Sequence, residues 1–133
     1  MKPGFARHCL AAALALAAAD LALADQYVIA HPGTTLTPAE VREVFLGDKQ
    51  FAGSVKLVPV DSAAVQEQFI AKVLGMDKTK YTSAWTKKAF RDGLTQPPLK
   101  SGDTEVIEFV KRTPGAVGYV SAAPSGVNVV QKF

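Results

Sequence analysis

Short runs of apolar and β-branched residues, separated by loops rich in glycine and proline, predict four β-strands in this chain. The first is Tyr27–Ala30, which ends at a His-Pro-Gly turn, and the second covers residues 55–60. Pro59 lies near the end of this second strand and predicts a missing ladder hydrogen bond there, because proline has no N–H group. The last two strands are predicted over residues 116–121 and 127–131.

Apolar positions spaced by three and four residues predict four helices. The most clearly marked helix follows Thr37, where Pro38 takes the first helical position and Glu40 completes a capping box. Gly47 is expected to stop this helix. Three further helices are predicted, from Ser62 to Gly75, from Asp77 onward, and over residues 104–113.

A glycine-rich corner follows the last predicted helix. Pro114 cannot continue a helix, and Gly115 suits the left-handed conformation that ends one. Gly118, inside the next strand, leaves room for the close approach of another backbone or of a ligand. The order strand, helix, strand, two helices, helix, strand, strand predicts an α/β domain with a mixed β-sheet flanked by helices.

The first 24 residues have the features of an export signal. Lys2 and Arg7 give a basic start, an Ala/Leu-rich stretch follows, and an Ala-Leu-Ala sequence ending at Ala24 matches a cleavage site. The apolar stretch is about 15 residues long, against the roughly 20 that a membrane span needs, so we favour a cleaved signal over an anchor. We expect cleavage after Ala24, a single domain over residues 25–133, and a protein that is free in the periplasm or secreted.

From residue 25 onward the chain has few of the side chains that catalysis or metal binding uses. It contains no cysteine, a single histidine (His31) beside a proline, and no Gly-x-Ser-x-Gly elbow or obvious carboxylate pair. The sequence therefore predicts no enzyme activity, no metal and no cofactor. Its 13 basic and 11 acidic residues leave a charge near +2, which is too small to predict nucleic-acid binding.

Two features favour anion binding, and each has a simpler interpretation. The predicted helix start after Asp61 would present free backbone N–H groups beside Ser62, although either side chain would also serve as an ordinary helix cap. The next predicted helix carries a basic stripe that suits phosphate, acidic proteins or lipid headgroups, or is simply a solvated surface; it comprises Lys80, Lys87, Lys88 and Arg91. Tyr81 and Trp85 of the same helix are expected to pack in the core.

Motifs along nearly the whole predicted domain resemble the phosphate-type periplasmic substrate-binding proteins of ABC transporters, and more closely their short, single-lobe members. They are Leu-Thr-Pro-Ala-Glu at 36–40 with Phe-Leu-Gly at 45–47, Leu-Val-Pro-Val-Asp at 57–61, Phe69, Val-Leu-Gly at 73–75, Trp85, Phe90, Pro-Pro at 97–98, and Pro-Gly-Ala-Val-Gly-Tyr-Val at 114–120. The resemblance implies one lobe of a type 2 periplasmic binding protein. It also implies a ligand held between two lobes, with an arginine and a Ser-Gly-Thr segment supplied at the turn that corresponds to residues 60–62.

This sequence departs from that pattern at the ligand-binding turn. It has neither an arginine nor a Ser-Gly-Thr segment between Pro59 and Phe69, and Ser62 is the one residue that carries over. Together with the basic stripe and the predicted helix start, the resemblance leads us to expect a solute-binding-like protein that binds phosphate or another small oxyanion weakly or as a homodimer. We expect Ser62, Ala63 and Arg91 to face the ligand, although the resemblance itself supplies only Ser62. An ABC permease or another periplasmic or membrane protein is then the expected partner. The alternative is a non-transport periplasmic adaptor that uses the same lobe to bind proteins.

Overall fold

The computed structural model describes residues 24–133, so the predicted export signal lies almost wholly outside the described residues. The strands of the described part are β1 Tyr27–Ala30, β2 Phe51–Ala52, β3 Val55–Lys56, β4 Val58–Pro59, β5 Asp61–Ser62, β6 Leu99–Lys100, β7 Ala116–Val120 and β8 Asn128–Lys132. The helices are α1 Pro38–Phe45, α2 Gln66–Phe69 with a π-helical continuation over Ile70–Leu74, α3 Lys78–Asp92 and α4 Asp103–Arg112.

A four-stranded mixed sheet forms the centre of the domain, in the order β4-β7-β1-β8. Strand β7 pairs in parallel with β4 and antiparallel with β1, and β1 pairs antiparallel with β8. Two smaller pairs flank this sheet: the antiparallel hairpin β2-β3 and the parallel pair β5-β6. The mixed sheet with flanking helices confirms the predicted α/β class.

The two faces of the sheet are covered by different helices because alternate strand residues point in opposite directions. Val28, Val117 and Tyr119 belong to a large core cluster with residues of α1, α2 and α3. Ile29 and Val120 belong to a second cluster, which they share with Val60, Val106, Val110 and Ala116. Within the described residues the domain therefore has three layers, with α4 as the one helix on the second face. None of the helices in the described part of the chain has the length and hydrophobicity that a membrane span requires.

The local start signals in the sequence are confirmed. Thr37 and Glu40 form the capping box, with the Thr37 N–H donating to Glu40 Oε1 at 2.8 Å and the Glu40 N–H donating to Thr37 Oγ1 at 3.3 Å. The carboxylate of Asp77 caps α3 by accepting from the Lys80 N–H at 2.8 Å. Tyr81 and Trp85 are buried, as their helical spacing predicted.

The predicted strand over residues 55–60 is wrong in one respect, because its residues are shared between two sheets. Its first two residues pair with β2 in the hairpin, whereas Val58 and Pro59 pair with β7 in the main sheet. Leu57 lies between them and donates its N–H to Gln50 O at 2.8 Å. Pro59 lies in β4, an edge strand, where its missing donor leaves no ladder bond broken. Strand β6 is also absent from the four strands predicted from the sequence, and α3 ends at Asp92.

Two glycines in the corner after α4 explain why this segment packs so closely. Gly115 has a φ of +83°, the left-handed conformation predicted for it, and a Cβ atom there would lie 2.1 Å from Lys56 O. Gly118 lies under α4, where a Cβ atom would lie 2.6 Å from Val106 Cγ1 and 3.2 Å from Val60 Cγ2. The close approach predicted at Gly118 is therefore that of helix side chains.

We expect Gly118→Ala to lower the free energy of unfolding by about 1–3 kcal/mol, because the added methyl group overpacks the interface between β7 and α4. Val106→Ala removes the atom that the methyl group would meet, so the double variant should be more stable than the sum of the two single losses predicts. Urea unfolding measures the free energy of unfolding of the wild type, the two single variants and the double variant. Gly33→Ala is the control, since its Cβ atom would meet nothing closer than 3.5 Å. Purely additive effects of the two substitutions would contradict this account.

Candidate functional site

A buried carboxylate lies just beyond the end of β4. Asp61 is 1% exposed, and its two oxygens accept hydrogen bonds from two tyrosines. Tyr81 Oη donates to Oδ2 at 2.7 Å, and Tyr119 Oη donates to Oδ1 at 2.8 Å. These contacts tie β5 to α3 and to β7. The ring of Tyr119 is in turn stacked on Phe69, with centroids 4.0 Å apart and planes 7° from parallel.

Burial dominates the ionisation of this cluster. It raises the pKa of Asp61 from its ordinary 3.8 to about 6, although the hydrogen bonds from Tyr81 and Tyr119 act in the opposite direction. Burial, followed by the nearby negative charge of Asp61, raises the pKa values of Tyr81 and Tyr119 well above their ordinary range. Both tyrosines therefore remain protonated donors at neutral pH.

The predicted helix start at Ser62 is wrong. Asp61 and Ser62 form strand β5, which pairs with Leu99 and Lys100, and the helix begins only at Gln66. Neither Asp61 nor Ser62 caps it: the N-cap residue is Val65, which forms no side-chain cap hydrogen bond. The cause is the competing use of both residues, since the Asp61 carboxylate binds the two tyrosines and the β5 backbone is held in a ladder.

Ser62 and Ala63, the residues predicted to contact an anion, lie at the carboxyl end of β4 in different environments. Ser62 is fully buried, and its Oγ has no hydrogen-bond partner among the described residues. Ala63 is exposed, but its N–H donates to Lys100 O at 2.8 Å. The segment thus offers one unpaired hydroxyl, and the amide of Ala63 is already used within the chain.

The parallel strand β7 ends at the same edge of the sheet, and a protein carboxylate already occupies its donors. Asp103, the first residue of α4, accepts hydrogen bonds from the Ser121 N–H at 3.0 Å, the Ser121 hydroxyl at 2.7 Å and the Ala122 N–H at 3.3 Å. An incoming anion would have to displace this carboxylate to reach those groups. The sequence predicts Asp61 as a helix cap and not as a buried hydrogen-bond acceptor, and it gives no indication of the role of Asp103. A polar residue directly after the buried Val60 was the available signal for Asp61.

The four residues of the basic stripe lie on α3 and line one shallow depression of about 480 Å³, together with Met76, Ser83 and Ala84. Two of these cations are paired: Lys88 Nζ lies 2.5 Å from Asp48, and Arg91 lies 3.2 Å from Asp92. Lys80 and Lys87 have no acidic partner within the described residues. Phe90, on the same helix, is 89% exposed, which is unusual for so large an apolar side chain.

Arg91 and Ser62 are not brought together by direct contacts. Ser62 is enclosed in β5, whereas Arg91 is exposed near the end of α3, and no hydrogen bond within residues 24–133 connects the two. Over the same residues, no three His, Cys, Asp or Glu side chains are close enough to hold a metal ion.

Solved structures with a similar fold are substrate-binding proteins of phosphate ABC transporters. One, from Clostridium perfringens, is described as a phosphate ABC transporter substrate-binding protein with bound phosphate; it is 16% identical, with a TM-score of 0.60 over 81% of this chain and 45% of its own. Another is PstS from Borrelia burgdorferi, 14% identical, with a TM-score of 0.52 over 80% of this chain and 47% of its own. The sequence matches no protein-family model and no curated protein.

These comparisons define the fold. The described part of the chain has the architecture of a single lobe of a periplasmic binding protein, and the chain spans less than half the length of the solved structures that it matches. At 14–16% identity the likeness is one of fold, so ligand and partner have to be argued from the residues of this chain.

The buried carboxylate predicts a specific pH dependence of stability. The pKa of Asp61 is raised in the folded protein, so its protonation stabilises the fold; this contribution is complete below about pH 4 and is lost as the pH rises through about 6. At about 1.4 kcal/mol for each pKa unit, the loss is on the order of 3 kcal/mol. Compared with Asp61→Asn, the wild-type protein should therefore lose stability between pH 4 and pH 7.

Urea unfolding at several pH values measures this difference. Tyr81→Phe should widen the pH-dependent loss, because it removes one of the two donors that stabilise the ionised carboxylate. Parallel pH profiles for the wild type and Asp61→Asn would show that Asp61 does not titrate in this way.

Proposed function

We propose that this protein is exported, is cleaved after Ala24, and acts in the periplasm as a one-lobe binding protein for phosphate or another small oxyanion, without enzymatic activity. In this proposal residues 25–133 form the functional domain. The observation that carries the proposal is the fold, which matches one half of a substrate-binding protein with bound phosphate. An ABC permease or another periplasmic or membrane protein is the proposed partner.

The proposed ligand position is the sheet edge beyond β4. The buried Ser62 hydroxyl is an unpaired polar atom at this edge among the described residues, and the two residues that follow it, Ala63 and Ala64, are exposed. A buried hydroxyl without a partner costs free energy, which a hydrogen bond to an anion oxygen would recover. Arg91 is the proposed cationic contact, and an anion there would compete with the carboxylate of Asp92.

The free energies of the available contacts limit the affinity of one open lobe for an anion. Micromolar affinity requires about 8 kcal/mol, whereas a charge-assisted hydrogen bond contributes about 1.5–3 kcal/mol. Asp103 already holds donors at the same edge, and helix α2 has only four residues before its π-helical turn. A homodimer that covered this edge would bury the anion and strengthen each contact by lowering the local dielectric constant.

We expect inorganic phosphate to shift the amide resonances of residues 62–65 in a two-dimensional nitrogen–proton NMR titration, with a dissociation constant in the millimolar range for the monomer. Ser62→Ala should weaken binding, because it removes the unpaired hydroxyl. Arg91→Gln should also weaken it, whereas Arg112→Gln, at the end of α4, serves as the matched control. Light scattering in the same samples reports dimer formation. The proposal fails if phosphate causes no saturable shift, or shifts only the lysines of α3.

A second candidate function is a periplasmic adaptor that binds proteins, and the exposed face of α3 favours it. Phe90 projects into solvent on a helix whose Lys80 and Lys87 are unpaired among the described residues. An exposed aromatic residue three positions after Lys87 on the same helix suits an acidic protein surface that has an apolar pocket.

Under the adaptor hypothesis, a protein captured from periplasmic extract by the wild-type domain should be lost with Phe90→Ser and with Lys87→Glu. Both positions are exposed, so the fold should be retained, and circular dichroism checks this. Lys72→Glu, on the π-helical segment, is the matched control and should still capture the partner. Equal capture by all variants would exclude this face as the binding surface.

A further inference from the structure

A separate cleft of about 220 Å³ lies where the end of α1, the start of β4 and the end of α3 meet. One part of its wall is apolar and is formed by Val44, Leu57, Pro59, Trp85 and Leu94. Lys56 and Leu57 come before β4 in the chain, whereas Ser62 follows it. The cleft is therefore distinct from the proposed oxyanion position.

The main chain holds the aromatic wall of this cleft in place. Trp85 is 4% exposed, and its indole N–H donates to Phe45 O at 3.0 Å. Gly47 lies against the ring at a φ of +78°, where a Cβ atom would come within 2.8 Å of Trp85 Cη2. Only glycine fits there, so the ring edge keeps one orientation and the wall is formed before any ligand arrives.

The polar side of the cleft is cationic. Lys49 and Lys56 both line it, and no aspartate or glutamate of residues 24–133 does. Lys49 is paired with Glu40 at 3.2 Å, but Lys56 forms no ion pair within residues 24–133. An apolar floor beside an uncompensated ammonium group favours a ligand with an apolar body and one negative charge.

We propose that this cleft binds a small carboxylate with a single aromatic ring. The ring packs against Trp85, Leu57 and Leu94, and the carboxylate pairs with Lys56 Nζ. The volume agrees, because an apolar cavity of about 150 Å³ is known to hold benzene, and the larger space here admits a ring with a short acidic substituent. Inorganic phosphate has no apolar group to bury and is a poor ligand for this site.

Intrinsic fluorescence gives a direct test, because Trp85 is the only tryptophan in the chain. Titration with phenylacetate should change the emission in a saturable way. Phenylacetamide, which has the same ring without the charge, should bind about tenfold more weakly, and phosphate should cause no change. No saturable change with phenylacetate, or equal binding of phenylacetate and phenylacetamide, overturns the proposal.

Two variants test the cationic part and the apolar part of the site separately. Lys56→Gln should weaken phenylacetate about tenfold and leave phenylacetamide unchanged, and Leu94→Ala should weaken both. Lys72→Gln, which lies outside the cleft, is the matched control. If circular dichroism shows that a variant is misfolded, NMR of the wild-type protein with phenylacetate replaces it. Amide shifts at residues 56–57 and 94–95 support the site, and shifts confined to other residues refute it.

Discussion

The contact of Asp61 with Tyr81 and Tyr119 is the interaction on which the rest of this lobe depends. It joins β5, α3 and β7 through one buried carboxylate whose two oxygens each accept a tyrosine hydroxyl. Removing one partner of a buried charge costs far more than the net value of the pair, because the other group is left desolvated and unsatisfied. The same contact explains why residues 61–62 are extended, since a helix starting at Ser62 would redirect the carboxylate away from both hydroxyls.

The parts of the fold that depend on local signals could be predicted from the sequence. The capping box at Thr37, the Asp77 cap and the left-handed Gly115 are decided within a few residues, and the structure has all three. The parts of the fold that depend on residues far apart in the sequence could not be predicted in this way. Strand β5 exists because it pairs with β6, and Asp61 finds its hydroxyl partners 20 and 58 positions away. Hydrophobic periodicity contains no information about such pairings, so the sequence predicts a helix directly after β4, where the structure has strand β5.

The candidate site was predictable only in part, for a related reason. Residue type pointed to Ser62, and the structure gives that residue an unpaired hydroxyl, but it also buries the hydroxyl beneath the surface. The backbone N–H of Ala63, in the turn after β5, is used by Lys100 O, and the donors that follow β7 are used by the carboxylate of Asp103. These two acceptors are far from Ser62 in sequence, and only the fold brings the carboxyl ends of β4 and β7 to one edge.

The distribution of charge differs between the two binding positions proposed for this domain. At the sheet edge, Asp61 and Asp103 place negative charge beside the position proposed for an anion, and at close range in a partly buried site such repulsion amounts to a few kcal/mol. An anion can be held there only if a second surface adds donors or positive charge. The cleft beside Trp85 has the reverse arrangement, because Lys56 lines it without an ion pair and, in the described part of the chain, no carboxylate lines it. The charges at the sheet edge of one lobe are therefore unfavourable for a bare oxyanion, whereas the charge of the cleft suits the apolar acid proposed for it.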